Sequence, residues 1–264
     1  LDIDYDFAKS FMNTIMKKII YFLTILLLYG CDSDKGWDCI QTAGEIVQQE
    51  VTVPSFDKVT AWSRVKLFIE DGPVQKVIVE SGSNLMPDIK VAVSDGRLQI
   101  HNNNSCNLVR DYALTKVYIT SPNLTEIRSS TGMGIESIGI LSYPSLSLLS
   151  EDQVASETHH TDGDFRMDLE VENLNVVANG LSKFYLKGSA RNANFGLYSG
   201  NCRIYSEDLI VQDLTVYHRS SGPMVVNPQA SIRGKIVSLG DIISKHRPVI
   251  VEVEELYRGR LIFE

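Results

Sequence analysis

Leu174-Asn-Val176, Phe195-Gly-Leu197, Leu214-Thr-Val216 and Lys235-Ile-Val237 recur about every 20 residues between Leu174 and Asp241, and they line up as one apolar column. Phe184-Tyr-Leu186, Cys202-Arg-Ile204 and Met224-Val-Val226 line up as a second. Between the columns fall Asn179-Gly180, Ser199-Gly200, Ser221-Gly222 and Leu239-Gly240, pairs suited to tight turns. A unit this short cannot close a core alone; it buries its apolar face only by stacking on the next copy. Residues between the turns alternate, and β-branched and aromatic types are common, so each unit is strand and not helix. The fold expected is all-β: a right-handed β-helix-like solenoid with a less regular N-terminal β region. A β-sandwich with evenly spaced strands is the alternative that the spacing allows.

Upstream, residues 45–53 lead into Phe56-Asp-Lys-Val59, Val65-Lys-Leu67-Phe-Ile69, Val77-Ile-Val79, Ile89-Lys-Val91-Ala-Val93 and Leu98-Gln-Ile100. Asp71-Gly72 and Asp95-Gly96 are hairpin-type turn pairs, so residues 39–111 read as antiparallel or mixed strands. From Tyr112 the spacing lengthens, and residues 112–264 read as solenoid rungs plus a C-terminal cap. A strand near Val249 to Val253 is expected to cap the open end, with Arg247, Pro248 and Glu254-Glu255 guarding its edge. No helix is expected after residue 40.

The composition is that of a packed globular chain: 264 residues, 44% hydrophobic and 22% charged. A net charge of −8, with no basic run longer than Lys17-Lys18, argues against a nucleic-acid partner. Met16-Lys17-Lys18 followed by the apolar run from Ile19 to Tyr29 has the form of a secretory signal, too short to span a bilayer. Leu28-Tyr29-Gly30-Cys31 resembles the lipobox of bacterial lipoproteins, which implies lipidation at Cys31 and a membrane partner held through that anchor. The expected layout is therefore 1–30 upstream residues and signal peptide, 31–38 anchor linker, and 39–264 one β domain. Outer-membrane location with surface exposure, or retention at the inner membrane, are both compatible with Asp32-Ser33-Asp34-Lys35 behind the anchor.

Outside the cytoplasm disulfides persist. With Cys31 lipidated, three cysteines remain and at most one bridge forms within the chain. Cys39 with Cys106 is the expected pair, and pairings through Cys202 are the alternative. A Cys39–Cys106 bridge closes a loop of about 67 residues and contributes about 3–4 kcal/mol. Cys202, on an inward position beside Ile204, reads as a buried free thiol.

Phe56-Asp-Lys-Val59, Leu85-Met-Pro-Asp-Ile89, Asp95-Gly96-Arg-Leu98, Cys106-Asn107 and Pro122-Asn-Leu124-Thr-Glu-Ile127 followed by Gly132 together resemble the head GIN domain family. The closing His246-Arg-Pro248 and Glu254-Glu255-Leu256-Tyr257-Arg-Gly259-Arg260-Leu261 resemble the C-terminal signature of its lipoprotein members. The resemblance spans 39–264. It implies a β-helix-like fold, a location outside the cytoplasm and an adhesin role without established activity, and it carries no catalytic residues.

Individual sites are sparse. His159-His160 with Asp162 and Asp164 is the one His/Asp cluster, and it reads as a solvated polar loop before it reads as a transition-metal site. The glycines from Gly132 to Gly139 lack phosphate-loop spacing and read as turn residues. Asp168, Glu170 and Glu172 share one outer face, as a solvated strand face does; β-helix enzymes acting on polysaccharides also place their acids so. Tyr198, Tyr205 and Tyr217 follow the rungs and are expected to form an exposed aromatic ladder able to stack on sugars.

The sequence therefore predicts a non-catalytic adhesion or ligand-binding module of the cell envelope, without cofactor or metal, that meets a glycan or an extracellular protein. A polysaccharide-active enzyme and a structural protein binding another envelope component are the competing readings.

Overall fold

Among the described residues, all the regular structure beyond residue 41 is β, apart from one 3-10 turn at Met86–Asp88. The computed structural model describes residues 16–18, 41–104, 114–151 and 160–264, and those from Thr42 onward belong to one compact unit. Cys31, Cys39, Cys106 and His159 lie outside the described residues.

The first strands are β1 (Ile46–Glu50), β2 (Lys58–Ala61), β3 (Lys66–Asp71), β4 (Lys76–Gly82), β5 (Ile89–Ser94) and β6 (Arg97–Asn102). Then come β7 (Lys116–Ser121), β8 (Glu126–Ser129), β9 (Ile135–Leu141), β10 (Ser145–Ser150), β11 (Phe165–Ala178) and β12 (Lys183–Leu197). The last are β13 (Arg203–His218), β14 (Met224–Val226), β15 (Pro228–Ile236), β16 (Ile242–Ser244), β17 (Ile250–Glu255) and β18 (Leu261–Phe263). All join one sheet.

Two parallel columns organise it. One runs β7, β3, β9, then the first halves of β11, β12 and β13, then β14, β16 and β18. The other runs β6, β2, β8, β10, then the second halves of β11, β12 and β13, then β15 and β17. The pair β2–β3 comes early in the chain yet sits between β6–β7 and β8–β9. Antiparallel pairing is confined to β1–β4, β4–β7 and β5–β6. Asp95 and Gly96 make the β5–β6 turn with φ of 51° and 71°. Asp71-Gly72 closes no hairpin, because β3 pairs with β7 and β9 and not with β4.

Long strands serve both columns because alternation slips at the same place in each rung. Two consecutive outward residues, Glu172-Asn173, Arg191-Asn192 and Gln212-Asp213, carry the chain from one column into the next. Inward residues close a continuous core in which Phe165 and Phe184 stack at 4.7 Å. Each such buried ring contributes about 2–3 kcal/mol of apolar transfer, plus stacking.

The apolar columns hold, with a corrected register. Leu174 pairs with Ala193, then Leu214, then Ile232, and Val176 pairs with Phe195. Phe184 pairs with Ile204, then Met224, then Ile242. Phe195 is therefore displaced by two from its expected partner, and Lys235 faces outward beside Tyr217. A shift of two leaves inside and outside unchanged, so the expected face survives at Phe195; Lys235 is displaced by three from Leu214, so it turns outward and Ile236 is buried in its place.

The glycine corners are required by close stacking. A Cβ on Gly200 would lie 2.2 Å from the Gly180 carbonyl oxygen, and one on Gly240 would lie 2.1 Å from that of Gly222. The strand expected to cap the C-terminal end, β17, is one more parallel rung on β15, and β18 stacks on β16 after it.

Candidate functional site

The outward face of the first column carries a ladder of unlike groups. Arg166, Tyr185, Tyr205 and Val225 succeed one another in register. Tyr185 and Tyr205 stack with centroids 5.1 Å apart, and the Arg166 guanidinium carbon lies 4.1 Å from the Tyr185 centroid. Both faces of Tyr185 are thus occupied. The Asp168–Lys187 pair at 2.9 Å flanks the stack, and Glu136, held by Lys66 at 2.9 Å, precedes Arg166 in the same register. Together these residues line an open groove of about 390 Å³, with exposed Glu207 and Asp208 at its rim.

The outward face of the second column carries stacked amides on β11 and β12. Asn192 donates to Asn173, and Asn194 to Asn175, each at 2.9 Å. Amide ladders of this kind stabilise in-register stacking of identical side chains. They border a second groove of about 370 Å³.

The tyrosines expected to form one ladder divide between two. Tyr205 joins Tyr185, a residue the sequence reading passed over, whereas Tyr198 stacks on Tyr217 at 5.1 Å. The reason is local. Gly196 precedes Tyr217 in the second column, and a Cβ there would lie 2.6 Å from the Tyr198 ring, so Tyr198 occupies the slot that a side chain at 196 would fill. Arg166 and Tyr185 were findable: Arg166, Tyr185 and Tyr205 differ by one repeat each.

Several acids of the outer face are paired, although Glu170 between them is exposed. Asp164 pairs with Lys183, Asp168 with Lys187 and Glu172 with Arg191, each across one rung. Towards the C-terminus Arg233 pairs with Glu252 and Lys235 with Glu254. Glycosidic cleavage needs one carboxylic acid and one carboxylate facing each other, about 5–9.5 Å apart across a substrate. Acids that alternate with cations one rung away build a different surface, one of balanced charge.

Two titratable groups lie inside the corners. Cys202 is fully buried and free; its thiol accepts from the Gly180 amide at 3.0 Å, and burial pushes its pKa up to about 11. His218 is also fully buried, in register between Leu197 and Ile236, and neither ring nitrogen has a hydrogen-bond partner. Burial pushes its pKa down to about 4. Asp162 and His160 are exposed, and among the described residues no group of three His, Cys, Asp or Glu side chains could hold a metal ion. Among those residues, too, no helix is long and apolar enough to cross a membrane.

The model of the family described as "Putative auto-transporter adhesin, head GIN domain" matches residues 55–248. The chain belongs to the head GIN domain family. A "putative adhesin" from Bacteroides fragilis has the same fold, with a TM-score of 0.74 at 20% identity over 85% of this chain and 100% of that one. A "putative lipid binding protein" from Parabacteroides distasonis gives a TM-score of 0.58 at 17% identity over 83% and 97% of the two chains. A "putative adhesin" from the same species gives 0.61 at 14% identity over 84% and 99%. No curated protein matches the chain.

Proposed function

We propose that this head GIN protein is a non-catalytic adhesion module of the cell envelope, anchored through a lipidated Cys31, that binds a glycan or an extracellular protein along its outer ladders. We read its parallel stack as a right-handed β-solenoid, since crossovers between parallel strands of one sheet are right-handed almost without exception. The observation that carries the binding reading is the Arg166–Tyr185–Tyr205 stack in an open groove whose flanking Asp168 is neutralised by Lys187. With ring faces already paired, the groove offers phenol hydroxyls, ring edges and fixed charges. It grips a polar, extended ligand by hydrogen bonds more than by stacking a sugar on an open aromatic face.

Protease shaving of intact cells, with Cys31→Ala as control, tests the location. Release of the protein from whole cells supports adhesion; protection until the outer membrane is opened sinks it and favours a periplasmic partner. Glycan and matrix arrays then test the groove: Tyr205→Ala loses the wild-type signal, and an unchanged signal would move the site elsewhere. The enzymatic reading predicts sugar cleavage abolished by Asp168→Asn. Absence of cleavage by the wild type across a glycan panel counts against it.

A further inference from the structure

Arg166 breaks the pattern of charge pairing on the outer face. Glu136 precedes it in the register of the first column, and Asp168 follows two residues later on the same strand, so two carboxylates flank it. Both turn elsewhere, Glu136 to Lys66 and Asp168 to Lys187, each at 2.9 Å. Among the described residues no carboxylate lies within ion-pair distance of the exposed Arg166 guanidinium, which is held over the Tyr185 ring. A guanidinium stacked in this way keeps its N–H edge free, and that edge is a planar fork that matches a carboxylate.

The other end of the same groove carries the opposite sign. Two rungs along, about 10 Å at the spacing of neighbouring strands, stand the exposed Glu207 and Asp208. Lys187 is the register neighbour of Asp208, but its ammonium is engaged by Asp168. Neither Glu207 nor Asp208 meets a cation within ion-pair distance among the described residues. The groove is thus cationic at one end and anionic at the other, with the half-buried Tyr185 and Tyr205 between them.

Taking the outer groove as the binding site proposed above, we infer that it holds an acidic glycan in which a uronate ring is followed by a neutral ring. The uronate carboxylate pairs with Arg166, a charge-assisted contact that a neutral sugar cannot make. Hydroxyls of the two rings meet the phenol groups of Tyr185 and Tyr205, and those of the neutral ring donate to Glu207 and Asp208. A polymer charged at every ring would press a second anion against those two acids, and like charges juxtaposed exclude a ligand. An extended peptide is a poorer match. It gains affinity by adding its backbone to a free sheet edge, and the strands under this groove are already paired on both sides.

Biolayer interferometry of the full chain on immobilised hyaluronan, in which uronate and neutral rings alternate, tests this in physiological salt with EDTA. The wild type binds, and the methyl ester of the same polymer, which keeps the rings and loses the charge, binds about tenfold or more weakly. Arg166→Gln shows the same loss on hyaluronan with an unchanged thermal melt. Polygalacturonate and dextran sulfate, both densely charged, bind more weakly than hyaluronan. With a net charge of −8 the chain has no general attraction for polyanions, so that order reports the groove. Equal binding of the ester, tighter binding of either dense polyanion, an unaffected Arg166→Gln variant, or binding to polyglutamate in place of hyaluronan overturns the inference. No binding to hyaluronan overturns it too. The arrays then separate the two readings: a Tyr205-dependent signal from another ligand leaves the groove as the adhesion site, and its absence removes both.

Discussion

Asp168 and Lys187 stand nineteen residues apart in sequence and 2.9 Å apart in space, facing each other across one rung. Asp164 with Lys183, Glu172 with Arg191, Arg233 with Glu252, Lys235 with Glu254 and Lys245 with Glu264 repeat that separation. Lys187 is 63% exposed, so solvent screens the pair. Lys187→Glu should cost about 0.5–1 kcal/mol in urea unfolding, the combined Asp168→Lys, Lys187→Asp variant should recover most of it, and 1 M salt should shrink both differences. Equal stability of the three proteins at low salt would show that the ladder contributes no energy.

His218 sets an acid limit on the fold. Its folded pKa of about 4 lies below the ordinary value of 6.5, so the unfolded chain binds the proton more readily. Its contribution is complete above pH 7, declines as pH falls through 6.5 towards 4, and amounts to about 3 kcal/mol once lost. His218→Leu, flanked by Leu197 and Ile236, should flatten that slope and raise stability at pH 7.5 by about 1–3 kcal/mol, since it removes an unpartnered buried polar ring. Urea midpoints at pH 7.5 and 5 measure both effects. A slope that persists in the variant would assign it to other groups.

Two glycines separate conformational strain from stacking. Gly200 (φ +78°) and Gly139 (φ +73°) have similar backbones, but a Cβ on Gly200 meets the Gly180 carbonyl at 2.2 Å and one on Gly139 meets nothing within 4 Å. Gly139→Ala should cost about 1–2 kcal/mol and Gly200→Ala about 2–4 kcal/mol. Thermal melts of the two variants, run side by side, give the difference. Equal costs would mean that the corners can spread.

Cys202 should be silent in the native protein. With no exposed surface and a thiol pushed up to about 11, it should react with maleimide at pH 8 roughly 100-fold more slowly than in urea. Rapid native labelling would mean that the corner from Ser199 to Cys202 opens readily.

The inward face was legible in the sequence because alternation records which side a residue takes. Register was less so, because a displacement of two keeps that record intact. Leu174 sits on Ala193 and not on Phe195, because the repeat between these two strands is nineteen residues long and not twenty-one. The split of Tyr198 from Tyr205 was hidden for another reason: Gly196, two residues earlier, leaves a vacancy that the Tyr198 ring fills against Tyr217 of the next rung. The ion pairs and the Arg166–Tyr185 contact carry the clearest missed signal, a nineteen-residue separation between opposite or complementary types. The placement of β2 and β3 between strands made later in the chain leaves no local trace at all.

That placement governs how the molecule can be built and lengthened. A chain emerging from the ribosome or a translocon presents Lys58–Ala61 and Lys66–Asp71 early, yet these strands gain their second neighbours only after Glu126–Ser129 and Ile135–Leu141 have appeared. The opening third must wait for the middle, and loop closure over that distance is a step that no rung downstream repeats. From Phe165 onward each unit meets only the one before it, so duplicating one repeat adds one storey without disturbing the rest. Relatives of different length should therefore differ in the number of late coils, with the interlocked N-terminal part kept as the fixed footing from which they grow.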